Sequence, residues 1–196
     1  MTRTAILAAA SALLSASTAA AACTAPAAGE DLTEAQAAEV YACLAADMQA
    51  GYARGPKRWI DAAYVADYRS WTAASTGPAA PGVHGARFLM TWVNPVGAEA
   101  YLRFDEEGAK MPAGTVIAKE SFTVDASGAA APGPLFFMEK AAPGASPETG
   151  DWYYMMVSAR GAPVAVPVVQ ACHDCHSGFE DSDFLGYPAE EVRAGG

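Results

Sequence analysis

The chain has 196 residues and a mass of 20.1 kDa, enough for one domain with a sizeable core. Twelve Lys and Arg against 22 Asp and Glu leave a formal charge of −10 and a pI of about 4.6. This excludes a nucleic-acid partner, because phosphate binding needs a basic face. Much of the 52% apolar content is alanine, so the composition is that of a globular rather than a membrane protein.

Arg3, the apolar run from Ala5 to Leu14 and Ala20-Ala21-Ala22 follow the order of a secretory signal peptide with an A-x-A cleavage site. We read residues 1–22 as that signal, which predicts export to the periplasm and makes Cys23 the first mature residue. The run is too short to span a bilayer, which takes roughly 20 residues, and no later segment supplies a span.

Residues 23–67 read as an N-terminal helical extension. An Ala/Pro/Gly linker is followed by Thr33-Glu34-Ala35-Gln36, a capping box that opens a helix ending near Tyr52. Leu32, Val40, Tyr41, Leu44 and Met48 form its apolar stripe. A second, shorter helical pattern runs through Trp59, Ile60, Tyr64 and Tyr68. After Trp71, Gly/Pro turns separate alternating segments. Strands are predicted at Ala86 to Val93, with Phe88, Met90 and Trp92 on one face, and at Thr115 to Val124. Further strands are predicted at Leu135 to Met138, Trp152 to Ala159 and Val164 to Val169, and one short helix between Gly97 and Phe104. The predicted fold class is α+β: a mainly antiparallel, sandwich-like sheet domain with N-terminal helices.

The chemistry-bearing motif is Cys172-His173-Asp174-Cys175-His176, the C-x-x-C-H signature of c-type haem attachment. Each thiol adds across one vinyl group of a single porphyrin, and the adjoining His176 supplies the iron's proximal ligand. Attachment takes place outside the cytoplasm, so signal and motif support each other. Three other readings stand beside it. A zinc site needs a fourth ligand, a thioredoxin-like pair needs a βαβ context, and a disulfide across two residues is tight. His173 reads as a spacer. Cys23 and Cys43 are expected to pair in an oxidising compartment, against unpaired thiols or a lipid on Cys23.

Several residues resemble the cytochrome P-460 family. They are Tyr68-Arg69 before Trp71, Val93-Asn94-Pro95, the run from Pro112 to Glu120, Gly150-Asp151-Trp152 and the terminal haem motif. The likeness spans about Tyr68 to Phe184, within a haem domain placed at residues 68–196. The resemblance implies a β-sandwich-like, often homodimeric protein with one covalently attached haem c and a histidine below the iron. It also implies a lysine bonded to the porphyrin edge, at the position of Lys119. Such proteins oxidise hydroxylamine at an open haem iron and hand electrons to a partner protein. The sister cytochromes c-prime-beta lack the lysine bond and bind nitric oxide or carbon monoxide in an apolar pocket. A simple periplasmic electron carrier is the third reading.

Strand alternation puts Ile117, Lys119, Ser121 and Thr123 on one face of their strand, and Val116, Ala118, Glu120, Phe122 and Val124 on the other. By this pattern alone Glu120 is buried and Lys119 is an ordinary solvated lysine. The resemblance instead turns Lys119 to the haem, with Arg87 or Arg103 as partner for Glu120. Met90, Met111, Met138, Met155 and Met156 are candidate sixth ligands. Phe88, Phe136, Phe137, Tyr153 and Tyr154 are candidates for the distal wall, and Glu139 and Glu148 for a proton-accepting carboxylate. His84 reads as a surface or hydrogen-bonding residue, and Glu180, Asp181 and Asp183 as a solvated loop.

Overall fold

The structure is a computed structural model that describes residues 22–195. The signal-peptide reading falls on residues 1–22 and so lies almost wholly outside the described residues. Among the described residues, no helix is long and apolar enough to cross a membrane.

Six strands form one open antiparallel sheet: β1 (Thr72–Ala73), β2 (Phe88–Val93), β3 (Val116–Val124), β4 (Ala130–Pro132), β5 (Leu135–Lys140) and β6 (Trp152–Val157). Their order is β1-β2-β3-β5-β6, with β4 beside the far end of β3. β4 and β5 flank the same edge of β3 and are parted by Gly133-Pro134. A Cβ on Gly133 would lie 2.3 Å from the Ser121 hydroxyl, so the crossing requires glycine. Sheet and helices give the α+β class expected.

Alternation sorts the sheet into two cores. Phe88, Trp92, Val116, Ala118, Phe122 and Phe137 face a layer built on α1 (Glu34–Tyr52) and α2 (Ala62–Asp67). The reciprocal capping box of Thr33 and Gln36 opens α1. Helical spacing then buries Ala37, Val40, Leu44, Met48 and Tyr52 against the sheet. Cys23 and Cys43 are disulfide-bonded and clip the segment before α1 to the helix. On the opposite face, Val93, Ile117, Met138, Trp152 and Tyr154 pack with Tyr101, Met111 and Leu185. The sandwich-like layering therefore consists of one sheet between the N-terminal helices and the C-terminal segment.

The short helix forms at Ala98–Tyr101, within the predicted span. The strand predicted at Val164 to Val169 does not form. Pro163 makes an isolated bridge to Val157, and Pro167 has no amide hydrogen with which to continue a ladder. The chain there leaves the sheet and enters a π-helical turn, Val169–His173.

Candidate haem site

The π-helical turn runs directly into a helical turn at Asp174–His176. Residues three and four apart share a helix face, so Cys172, Cys175 and His176 point to one side. Cys172 is half-buried, Cys175 is exposed and both are free thiols. His176 is buried, 8% exposed. Its Nδ1 lies 2.7 Å from the carbonyl oxygen of Phe184, which accepts the hydrogen bond and leaves Nε2 as the free nitrogen. Burial pulls the imidazole pKa down to about 4, opposed by this backbone hydrogen bond and assisted by the nearby Lys119 charge. The ring is therefore neutral at pH 7, the form that ligates a metal.

The Phe184 carbonyl is aimed by a strained turn. Asp183 and Phe184 both have positive φ, at 57° and 65°, a conformation that costs a non-glycine residue free energy. Asp183 holds it. Its carboxylate accepts from the Met111 amide at 2.8 Å and from Lys140 Nζ at 2.7 Å, and its carbonyl accepts from Trp152 Nε1 at 2.8 Å. Glu180 and Asp181 are exposed as expected, but Asp183 is 4% exposed. No periodic signal marks it, because its partners come from three distant segments.

A cavity of about 1170 Å³ opens beside the motif, bounded by Cys172, Cys175 and His176, by the sheet face, and by the loop carrying His84 and Arg87. That is ample for a cofactor, whose sites usually measure about 300–1,000 Å³. Lys119 stands in its wall between its cross-strand neighbours Thr91 and Phe136. It is 8% exposed, and Nζ donates to the Gly186 carbonyl at 2.6 Å. Burial lowers its pKa to about 8. The solvated lysine expected from alternation is thus a desolvated one, because the C-terminal segment covers that sheet face.

Glu120, its neighbour, is buried on the opposite face as the pattern predicts. Its partner is neither Arg87 nor Arg103. Arg69 pairs with it, and the hydroxyls of Tyr41 (2.6 Å) and Tyr68 donate to the same carboxylate. Arg103 instead meets Asp105, and Arg87 donates to the carbonyls of His84 and Gly85.

Of the candidate wall residues, Phe136, Phe137 and Tyr154 line the cavity with Leu89, Ile117 and Met138, making the wall largely apolar. Phe88 belongs to the helical side, and Tyr153 is exposed. Met90 and Met111 sit in the two cores, whereas Met138, Met155 and Met156 reach the cavity. Glu139 and Glu148 do not line it; its carboxylates are Glu106 and Asp181. His84 is the residue most misplaced by sequence reasoning. It lines the cavity, packs on Phe136 with ring centroids 4.9 Å apart and faces His176 at 6.3 Å. Burial, then the charges of Lys119, His176 and Arg87, bring its pKa down to about 3.

The two thiols, the oriented imidazole and the cavity fit a haem. The competing readings have less support. Among the described residues, no cluster of three or more His, Cys, Asp or Glu is placed to hold a metal ion. Every strand pair of the described residues is antiparallel, so they contain no βαβ unit for a thioredoxin-like pair. No curated protein matches the chain. The family model described as Cytochrome P460 matches residues 65–185, more than half of it.

Proposed function

This chain belongs to the cytochrome P460 family, and from that premise we propose an exported mono-haem c cytochrome that oxidises hydroxylamine or a related small nitrogen species. The observation that carries the reading is Lys119, whose amine is buried in the wall of the cavity bounded by Cys172, Cys175 and His176. When bound, the haem supplies an iron that takes electrons from the substrate nitrogen. Cys172 and Cys175 would hold the porphyrin through thioether bonds. His176 presents Nε2 to the iron, its orientation and tautomer fixed by the Phe184 carbonyl. Lys119 is the residue that would face the porphyrin edge and be placed to bond it. Desolvation favours its neutral amine, the nucleophilic form. The Cys23–Cys43 disulfide supports an oxidising compartment, in keeping with the signal-like first 22 residues. The net charge of −10 would steer a basic electron-accepting partner at low salt.

The apolar wall of Leu89, Ile117, Phe136 and Met138 favours a second reading, binding of nitric oxide or another small gas. Spectra and mass of the haem-loaded protein and of Lys119→Ala separate the two. Oxidation through a lysine-bonded haem predicts a strongly red-shifted ferrous Soret band that reverts to an ordinary c-type band in the variant, with loss of hydroxylamine turnover. An ordinary band in both proteins, shifted by nitric oxide, supports the gas-binding reading.

A further inference from the structure

The cavity holds a second imidazole whose placement neither reading uses. His84 sits in a short loop where His84, Gly85 and Ala86 all have positive φ, at 57°, 76° and 54°. Arg87 pins that loop by donating to the carbonyls of His84 (2.5 Å) and Gly85 (3.3 Å). The strain is concentrated where it turns the His84 ring into the cavity. The ring's Nδ1 is buried and has no hydrogen-bond partner among the described residues. A buried polar atom left so is unfavourable, and a bound ligand or metal would offset that. Phe136 supports the ring from one side, at 4.9 Å between centroids.

The distance to His176 is informative. The two ring centroids are 6.3 Å apart and the planes are inclined by 66°. Two imidazoles on opposite sides of one metal, each bonded at about 2.0 Å, place their centroids roughly 6 to 6.5 Å apart. The inclination is no obstacle, because each ring can rotate about its own metal–nitrogen bond. Lys119 also faces this space, but its amine already donates to the Gly186 carbonyl.

We propose that His84 is the second axial ligand of the haem iron, opposite His176, so that the resting site is closed and a small molecule enters only by displacing it. The proposal rests on the haem reading above and adds a gate to the same site. Displacement exchanges one dative bond for another: the iron–imidazole bond breaks, the incoming lone pair takes its place and no electron moves. His84 returns to the cavity as a neutral imidazole.

The test is absorption and electron paramagnetic resonance spectroscopy of the haem-loaded protein, its His84→Ala and His84→Phe variants, and Lys119→Ala. The phenylalanine variant keeps a ring against Phe136 and guards against simple misfolding of the alanine variant. The wild type is expected to be low-spin and six-coordinate. Both His84 variants should be high-spin, added imidazole should restore the low-spin state in His84→Ala, and nitric oxide should bind that variant at least tenfold faster than the wild type. A high-spin wild type overturns the proposal, as do His84 variants that remain low-spin. If Lys119→Ala alone becomes high-spin, Lys119 is the ligand and the proposal falls. Recovery of the wild type without haem overturns the underlying reading and the gate with it. A low-spin wild type that exchanges His84 yet never turns over hydroxylamine keeps the gate and removes only the oxidase reading.

Discussion

Lys119 and Glu120 are consecutive residues that leave β3 in opposite directions, and each is buried by a different layer. Lys119 is held by one backbone carbonyl and keeps its desolvation cost. The Glu120 carboxylate meets Arg69, Tyr41 and Tyr68, so its charge is compensated. Removing one partner of such a buried pair costs about 3–5 kcal/mol. Glu120→Ala should therefore lower stability by about that amount in denaturant unfolding. Arg69→Ala should cost nearly as much, and the double variant far less than the sum. Additive losses would show that the pair contributes no coupling. Asp183 acts on the proposed haem site through Phe184, as a positioning residue. Asp183→Asn keeps its size but weakens the contact with Lys140 Nζ. It is expected to shift the haem's reduction potential and weaken His176 ligation, while far-ultraviolet circular dichroism stays unchanged. A potential equal to that of the wild type would show that the turn holds without the ion pair.

Among the elements, α1 depends on two devices. The capping box satisfies the first amides of the helix, and the disulfide ties Cys43, in its middle, to Cys23, twenty residues earlier. Closing a loop of that length stabilises by about 3 kcal/mol in the chain-entropy account. Cys43→Ser, or reduction of the bond, should lower unfolding free energy by about 2–3 kcal/mol and leave the haem spectrum intact, because α1 lies across the sheet from the cavity. A spectral change on reduction would contradict this separation of the two faces. The C-terminal segment is the contrasting element. Its apolar valines read as a strand, but Pro163 and Pro167 interrupt a ladder and the chain forms a π-helical turn instead. That turn places the two thiols and the imidazole on one side, which an extended strand would divide between two faces.

For the whole molecule, the sheet is a partition: helices fill one side, and the cavity occupies the other. The family match begins at residue 65, yet α1 supplies Val40, Leu44, Met48 and Tyr52 to the core beneath β2, β3 and β5. Each side chain of this kind stabilises by about 1.5–3 kcal/mol when buried. A chain beginning at residue 65 should therefore be insoluble or lose its cooperative thermal transition. A cooperative transition in that fragment at the full chain's midpoint would show that α1 is dispensable. What the amino-acid sequence determined by itself was local in cause. The capping box, the alternation along β2 and β3 and the spacing of Cys172, Cys175 and His176 are set by neighbours a few residues away, and each is legible without knowing the fold. The partner of Glu120, the burial of Lys119 and Asp183, and the turn of His84 toward His176 were decided only by tertiary structure. Each depends on which distant segment covers a given sheet face, and neither periodicity nor spacing carries that information.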